Sequence, residues 1–275
     1  MAFSVNTNAG AFAALQNLNK TSSGLQTVQS RINTGQKVST AKDDAATFAI
    51  AQKLRGDVAG LNAVKSSLDR ASSTVDVAIA AGEAVSDLLI ELKEKAVAAK
   101  DSGLDTASRN SLNNDFAQLR SQITSIVSNA EFNGTNVVKN GGSSVVAITS
   151  DDGGNKISIA SQDLSVGGTK VTLSAGNTIS TATGASAAVT AIEASISNVN
   201  DALSELGSGA KRIELQRGFV DKLSDSIEVG IGNLVDADLA KESASLQALQ
   251  VKQQLGLQAL SIANQAPSTV LGLFR

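Results

Sequence analysis

No His, Cys, Trp or Tyr occurs among the 275 residues. Losing imidazole and thiol together removes the commonest general base near neutral pH, the thiolate nucleophile and the preferred ligands for zinc and haem. Carboxylate, Lys and hydroxyl chemistry remain, and no motif gathers those groups into a positioned pocket. The expectation is therefore a protein that is not an enzyme and holds no cofactor or metal. Proline occurs once and the only aromatic residue is Phe, seven times. A thick globular interior of this length uses more large side chains, whereas abundant Ala, Ser, Asn, Gln, Thr and Val suit thin helix-on-helix seams.

Long apolar runs are also missing. No stretch approaches the roughly 18 apolar residues that span a bilayer. The first twenty residues lack the basic start and apolar run of a cleaved signal peptide. The absence of Cys fits passage out of the cell as an unfolded chain, where stray crosslinks would obstruct it. Net charge is −3 and unevenly placed: residues 1–42 carry Lys20, Arg31, Lys37 and Lys42 without an acid, and residues 243–275 carry Lys252 and Arg275 without an acid. The 200 residues between are left with −9 and form the solvated, acidic part. These scattered terminal cations, without stacking aromatics, do not make a nucleic-acid footprint. Nor do they sit beside the bulky apolar residues of a membrane-surface helix.

What the sequence does contain is heptads. Leu54, Leu61, Leu68, Val75, Gly82, Leu89 and Ala96 are spaced by seven, with Val64, Ala71, Ala78, Val85, Leu92 and Ala99 as the companion row. This is an a/d seam roughly 75 to 80 Å long at 1.5 Å per residue. Leu112, Phe116, Leu119, Ile123, Ile126 and Ala130 form a second stripe. A third runs through Val189, Ile192, Ile196, Val199, Leu203, Leu206, Ala210, Ile213, Val220, Ile227, Ile231 and Leu234, interrupted by Arg217 and Ser224. Helices with such narrow stripes bury them only against one another, which predicts a mainly α fold: coiled-coil-like helices in an elongated bundle.

Asp101-Ser102-Gly103 is expected to end the first long helix, with Gly103 in the left-handed exit and Asp105 or Thr106 capping the next. Asp43 and Asp44 precede an apolar-periodic run, where acids complement the helix dipole and its free N–H groups. Residues 131–184 differ in kind, with nine Gly and β-branched runs at 145–149, 156–159 and 170–173. Asp151-Asp152-Gly153-Gly154-Asn155 is the turn signal between the first two, and a small inserted β element is predicted. Gly167-Gly168-Thr169-Lys170 lacks P-loop spacing. Smaller seams close both ends of the chain: Leu18, Leu25 and Ile32, then Leu239, Leu246 and Leu260. Alone they bury too little to offset the entropy of ordering, so they should fold only against partners. Pro267 is expected beyond the last helix.

Four stretches in order, NTNAGAFAALQNLNK at 6–20, RINTGQKVSTAKDDAA at 31–46, EFNGTNVV at 131–138 and ANQAPSTVLGLFR at 263–275, resemble bacterial flagellin, the filament protein of the flagellum. The resemblance implies a terminal core domain from residues 1–42 and 237–275, with a spoke near Asn33 to Lys42. It further implies a helical domain from 43–130 and 185–236, with 131–184 as its exposed β-rich insert. Leu15, Leu18, Leu25, Ile32, Leu239, Leu246, Leu260, Leu271 and Leu273 are then the expected assembly residues, and Lys42, Asp43 and Asp44 mark the spoke and helix start. Expected partners are further copies of the chain, the flagellar type III export apparatus, a secretion chaperone, the filament cap and the hook-associated junction proteins. No nucleic acid and no membrane are expected as partners, and the location is a secreted, extracellular filament. A hook–filament junction protein of the same superfamily is the alternative. Residues 90–97 resemble the patch gripped by the vertebrate Toll-like receptor in many flagellins. Here Glu91 stands where activating relatives carry Arg and Lys95 where they carry Leu, with Lys93 between them.

Overall fold

The computed structural model describes the backbone of residues 7–272 and side chains as far as Gln265. Among the described residues are five helices: α1 (Ala9–Thr34), α2 (Ala45–Ala99), α3 (Thr106–Asn129), α4 (Ala182–Val235) and α5 (Leu239–Gly272). Four short strands lie between α3 and α4: β1 (Glu131–Phe132), β2 (Thr135–Asn136), β3 (Val145–Ile148) and β4 (Lys156–Ile159). The fold is mainly α with a small β element. It divides into two compact units, one from residues 57–225 and one from the described residues up to Gly56 and from Ser226 onward.

In the unit of residues 57–225, α2 and α4 run antiparallel. Lys65 Nζ meets Asp221 Oδ1 at 2.9 Å, Arg217 Nε meets Asp69 Oδ1 at 2.8 Å and Lys93 Nζ meets Glu193 Oε1 at 2.9 Å, so one residue number falls as the other rises. Both predicted rows of α2 are buried from Leu61 to Ala99. On α4 only one predicted row is: Ile192, Val199, Leu206, Ile213 and Val220 are buried, whereas Ile196, Leu203 and Ala210 are half-buried. The companion buried row lies one residue earlier, at Ala188, Ser195, Ala202 and Gly209. Small side chains hold that row because other groups come close. A Cβ on Gly209 would meet Ile159 Cδ1 at 2.6 Å, and one on Gly82 of α2 would meet Leu203 Cδ2 at 2.7 Å. Periodicity marks large apolar residues, so it selects Leu203 over the glycine and alanines that let it approach. Arg217, counted as an interruption of the seam, is instead exposed and paired with Asp69.

The α2–α3 connection also departs from expectation. Gly103 is not in the left-handed region. The end of α2 is satisfied by Arg109, which donates from Nε to Ala99 O (3.1 Å) and from Nη2 to Asp101 O (2.7 Å), a cationic cap suited to a helix C-terminus. Asp105 caps α3 as expected, accepting from Ser108 N at 2.7 Å.

The β element is tied to the helices by side chains rather than by sheet extension. β1 and β2 close around Asn133-Gly134, both at positive φ (48° and 79°), and β3 pairs antiparallel with β4. Residues 170–173 are not a strand, although Val171 and Leu173 are fully buried. Instead, Thr172 N donates to Ser195 Oγ on α4 (3.0 Å), Ile179 N to Asn113 Oδ1 on α3 (2.9 Å) and Ile148 N to Ser67 Oγ on α2 (3.2 Å). Asn136, 2% exposed, donates to Val127 O at 2.8 Å and accepts from Val138 N and Lys139 N at 2.9 Å each. Its amide thus joins the end of α3 to the insert while leaving no buried polar group unpaired.

Candidate functional site

In the unit built from the two chain ends, α1 and α5 pair antiparallel. Arg31 Nη1 reaches Glu242 Oε1 at 3.2 Å. Gly24 faces Leu249, and Gly256 faces Leu18, whose Cδ1 lies 3.3 Å from the position a Cβ would take. The glycines therefore admit leucines from the opposite helix. α5 continues to Gly272, through Pro267, rather than stopping before it. Proline has no N–H to offer the carbonyl four residues back, at Ala263. Asn8 replaces that donor: its Nδ2 binds Ala263 O at 2.6 Å, and its Oδ1 accepts from Ala11 N at 3.0 Å, capping α1. One side chain secures both helices, so Asn8→Ala is expected to lower the melting temperature of this unit by a loss of about 1–2 kcal/mol, readable by circular dichroism.

The connections into α2 and out of α4 are pinned together in the same unit. Lys37 N and Val38 N donate to Val235 O (2.7 and 3.3 Å), Ala237 N donates to Gly35 O (2.9 Å), and Gln36 bridges Asp236. Gly35 holds φ 70°, a left-handed exit that a side chain would strain. Val38, Ala51 and Val235 form a small core here with Phe48, Ile231 and Leu234. Asp43 Oδ2 accepts from Ser39 and Thr40, backbone and hydroxyl alike, at 3.0–3.2 Å. Asp44 precedes α2 and accepts from Ala46 N and Thr47 N. Hydrogen bonds from the Thr40 and Ser39 amides hold Asp43 below its ordinary pKa, and the Thr47 amide does the same for Asp44. Both are ionised at neutral pH and fasten turns, with no proton to exchange. Lys42, beside them, is exposed.

The expected assembly residues divide by exposure. Leu18, Leu25, Ile32, Leu246 and Leu260 are half-buried, whereas Leu15 and Leu239 are exposed. Leu271 lies within α5 and Leu273 lies outside the described residues; neither side chain is among those described. The open apolar surface of α1 and α5 includes Leu15 and Leu239 and, besides them, residues that heptad counting passed over: Phe12, Val251, Leu255, Leu257 and Ile262, with Phe12 66% and Ile262 70% exposed. Val251, Leu255 and Ile262 fall on one stripe of α5 at steps of four and seven. An open apolar surface on paired helices is the signature of an interaction site. In the other unit, Lys93 is held by Glu193 and Lys95 by Asp115 (3.7 Å). Glu91 is exposed.

Paired terminal helices with open apolar faces define a mainly helical protein with surface suited to association. The sequence matches the family described as the bacterial flagellin N-terminal helical region over residues 5–141 and that described as the C-terminal helical region over 189–274. The chain belongs to the bacterial flagellin family, whose members are structural subunits of the flagellar filament. It is 47% identical to Flagellin FljM of Caulobacter vibrioides over 272 residues, covering 99% of this chain and 98% of the relative. To Flagellin C of Rhizobium meliloti it is 35% identical, with 99% of both covered. A solved flagellin from Bacillus cereus superposes with a TM-score of 0.50 at 20% identity, over 56% of this chain and 88% of that one. A Vibrio parahaemolyticus chain assigned as a flagellar hook-associated protein gives 0.58 at 14% identity, over 70% and 100%. At those identities the two structures share a fold. The full-length identity to flagellins favours the filament subunit over the junction protein.

Proposed function

We propose that this flagellin polymerises through the exposed apolar faces of α1 and α5. The observation that carries the reading is the open surface of Phe12, Leu255 and Ile262 on helices that otherwise hold few charges. Residues 1–42 with 237–275 form the assembling core domain and spoke. Residues 43–130 with 185–236 form a second helical domain, and 131–184 form its exposed insert. Sparse charge suits the core because an unpaired charge is costly to bury between subunits. Before assembly the chain is secreted unfolded through the flagellar type III apparatus, with a chaperone covering its terminal seams. At the filament it meets the cap and the junction proteins. A chain without cysteine passes such a route without forming crosslinks.

The test is limited proteolysis of soluble subunit and of polymer side by side. In the subunit, cleavage within α1 and α5 is expected first, since a helix pair with open apolar faces opens at little cost. In the polymer those sites become protected. Equal protection of residues 9–32 in both states, matching residues 61–99, contradicts the reading.

A further inference from the structure

Asn-Gly occurs twice in the chain, at Asn133-Gly134 and Asn140-Gly141, and Asp-Gly once, at Asp152-Gly153. Such dipeptides are prone to succinimide chemistry, because glycine has no side chain to keep its backbone nitrogen away from the carbonyl carbon of the preceding side chain. All three lie between α3 and α4, and Asn133, Asn140 and Asp152 are all exposed, so access to water does not separate them. Their hydrogen bonds do. Asn140 is held twice: its Nδ2 donates to Asp163 Oδ2 at 2.9 Å and its backbone N to Ser165 Oγ at 2.9 Å. Gly142 N closes the turn around it on Lys139 O at 2.9 Å. Asp152 Oδ1 accepts from Ser150 Oγ at 2.5 Å and from Gly154 N at 2.9 Å. The Ser150 hydroxyl and the Gly154 amide hold its carboxyl below the ordinary range, and an ionised carboxylate resists attack by a nucleophile. Asn133 has no side-chain hydrogen bond among the described residues. It stands at φ 48°, at the tip of a hairpin with two residue pairs, Glu131 with Asn136 and Phe132 with Thr135. A two-stranded ribbon that short opens readily at its tip.

We infer that Asn133-Gly134 is a site of spontaneous covalent modification, with water as the co-reactant, and that the fold spares the other two dipeptides. Gly134 N attacks Cγ of Asn133; the N–Cγ bond forms, the Cγ–Nδ2 bond breaks, and ammonia leaves with the proton of Gly134 N. Water then opens the ring. Addition at Cγ gives an aspartate at position 133, and addition at the main-chain carbonyl gives an isoaspartate, whose backbone runs through Cβ and Cγ and is one methylene longer. Either product bears a new carboxylate. A countercharge stands ready for it, because Arg70 lines the same cavity of about 260 Å³ as Asn133 and takes part in no ion pair among the described residues. The extra methylene of the isoaspartate falls inside the hairpin that positions Asn136, whose amide ties the insert to Val127 O of α3. That tie then loosens.

A time course on the soluble full-length subunit tests it, read by tryptic digestion and mass spectrometry. Trypsin cuts after Lys139, so the two Asn-Gly pairs fall in different peptides. In the folded subunit Asn133 is expected to convert about tenfold faster than Asn140, which must first release a charge-assisted hydrogen bond. Isoaspartate should appear beside aspartate, and the rate should rise with pH because ring closure needs the proton of Gly134 N removed. In urea the two rates are expected to converge, since both dipeptides are then unheld. Asp163→Asn weakens the hold on Asn140 and is expected to speed conversion there while leaving Asn133 unchanged, with helical circular dichroism retained. The proposal is overturned if Asn133 does not convert in the folded subunit, or if Asn140 converts as fast. A difference that persists in urea overturns it equally, because the sequence and not the fold then sets the rates.

Discussion

Replacing Phe12, Leu255 and Ile262 together by Asp is expected to abolish sedimenting polymer while leaving the helical signal of the subunit intact. In the free subunit these side chains already face water, at 66%, 57% and 70% exposure, so three carboxylates there disturb little. In a polymer core the same carboxylates lose their hydration without a compensating cation. Residues 243–265 offer only Lys252, and residues 7–30 of α1 and its cap only Lys20. Burying an unpaired charge costs several kcal/mol, more than an assembly contact of ordinary strength supplies, so the critical concentration should move out of reach. The corresponding change at Leu18, Leu25 and Ile32 is also expected to abolish polymer, but for a mixed reason. Those residues are half-buried, with Leu18 against Gly256 of α5, so charge there also loosens the α1–α5 pair. Normal filaments from the Phe12, Leu255 and Ile262 variant remove the exposed face from the assembly account.

The second large effect concerns recognition by the vertebrate Toll-like receptor, which in many flagellins grips a patch that residues 90–97 resemble. The unmodified subunit is expected to signal at least about a hundredfold more weakly than an activating relative, equivalent to a few kcal/mol of lost interaction. The resemblance implies that Glu91 presents a carboxylate where activating relatives carry Arg, which is expected to set like charges against each other across the contact. Lys95 adds a different penalty. Its ammonium is held by Asp115 of α3, and a receptor covering this face has to desolvate that pair. Glu91→Arg with Lys95→Leu is expected to raise activity in a receptor-reporter assay on purified subunit. Full signalling by the unmodified chain at the relative's working concentration contradicts the expectation.

The helical framework was legible because large apolar residues at a seven-residue spacing leave few alternatives, and both rows of α2 sit where that spacing puts them. One of the two rows of α4 was displaced by one residue for a physical reason, while the row from Ile192 to Val220 is buried as its spacing implies. The companion buried row is Ala188, Ser195, Ala202 and Gly209, which hydrophobic periodicity passes over because they are small. The same blindness affected the ends of helices. Arg109 caps α2 from ten residues away, and Asn8 repairs the carbonyl freed by Pro267 across 255 residues of sequence, neither of which a local cap signal announces. In the insert, the hairpin of β3 and β4 followed from its turn signal. Residues 170–173 look equally β-like, yet Thr172 N and Lys170 O bond to α4 side chains, and Lys170 N and Val171 O bond within the insert instead of along a strand partner. The candidate surface was half visible. Heptads found the half-buried leucines of α1 and α5, while Phe12, Val251, Leu255 and Ile262 stand out only once pairing shows which faces remain open.

A filament built on the two terminal helices, as proposed, cannot form from a chain that lacks them. Electron microscopy of the purified full-length protein, compared with a form trimmed to residues 43–236, tests it most directly. The account predicts long filaments from the full chain and dispersed particles from the trimmed one at the same concentration. Filaments of the same diameter and length from residues 43–236 alone contradict it.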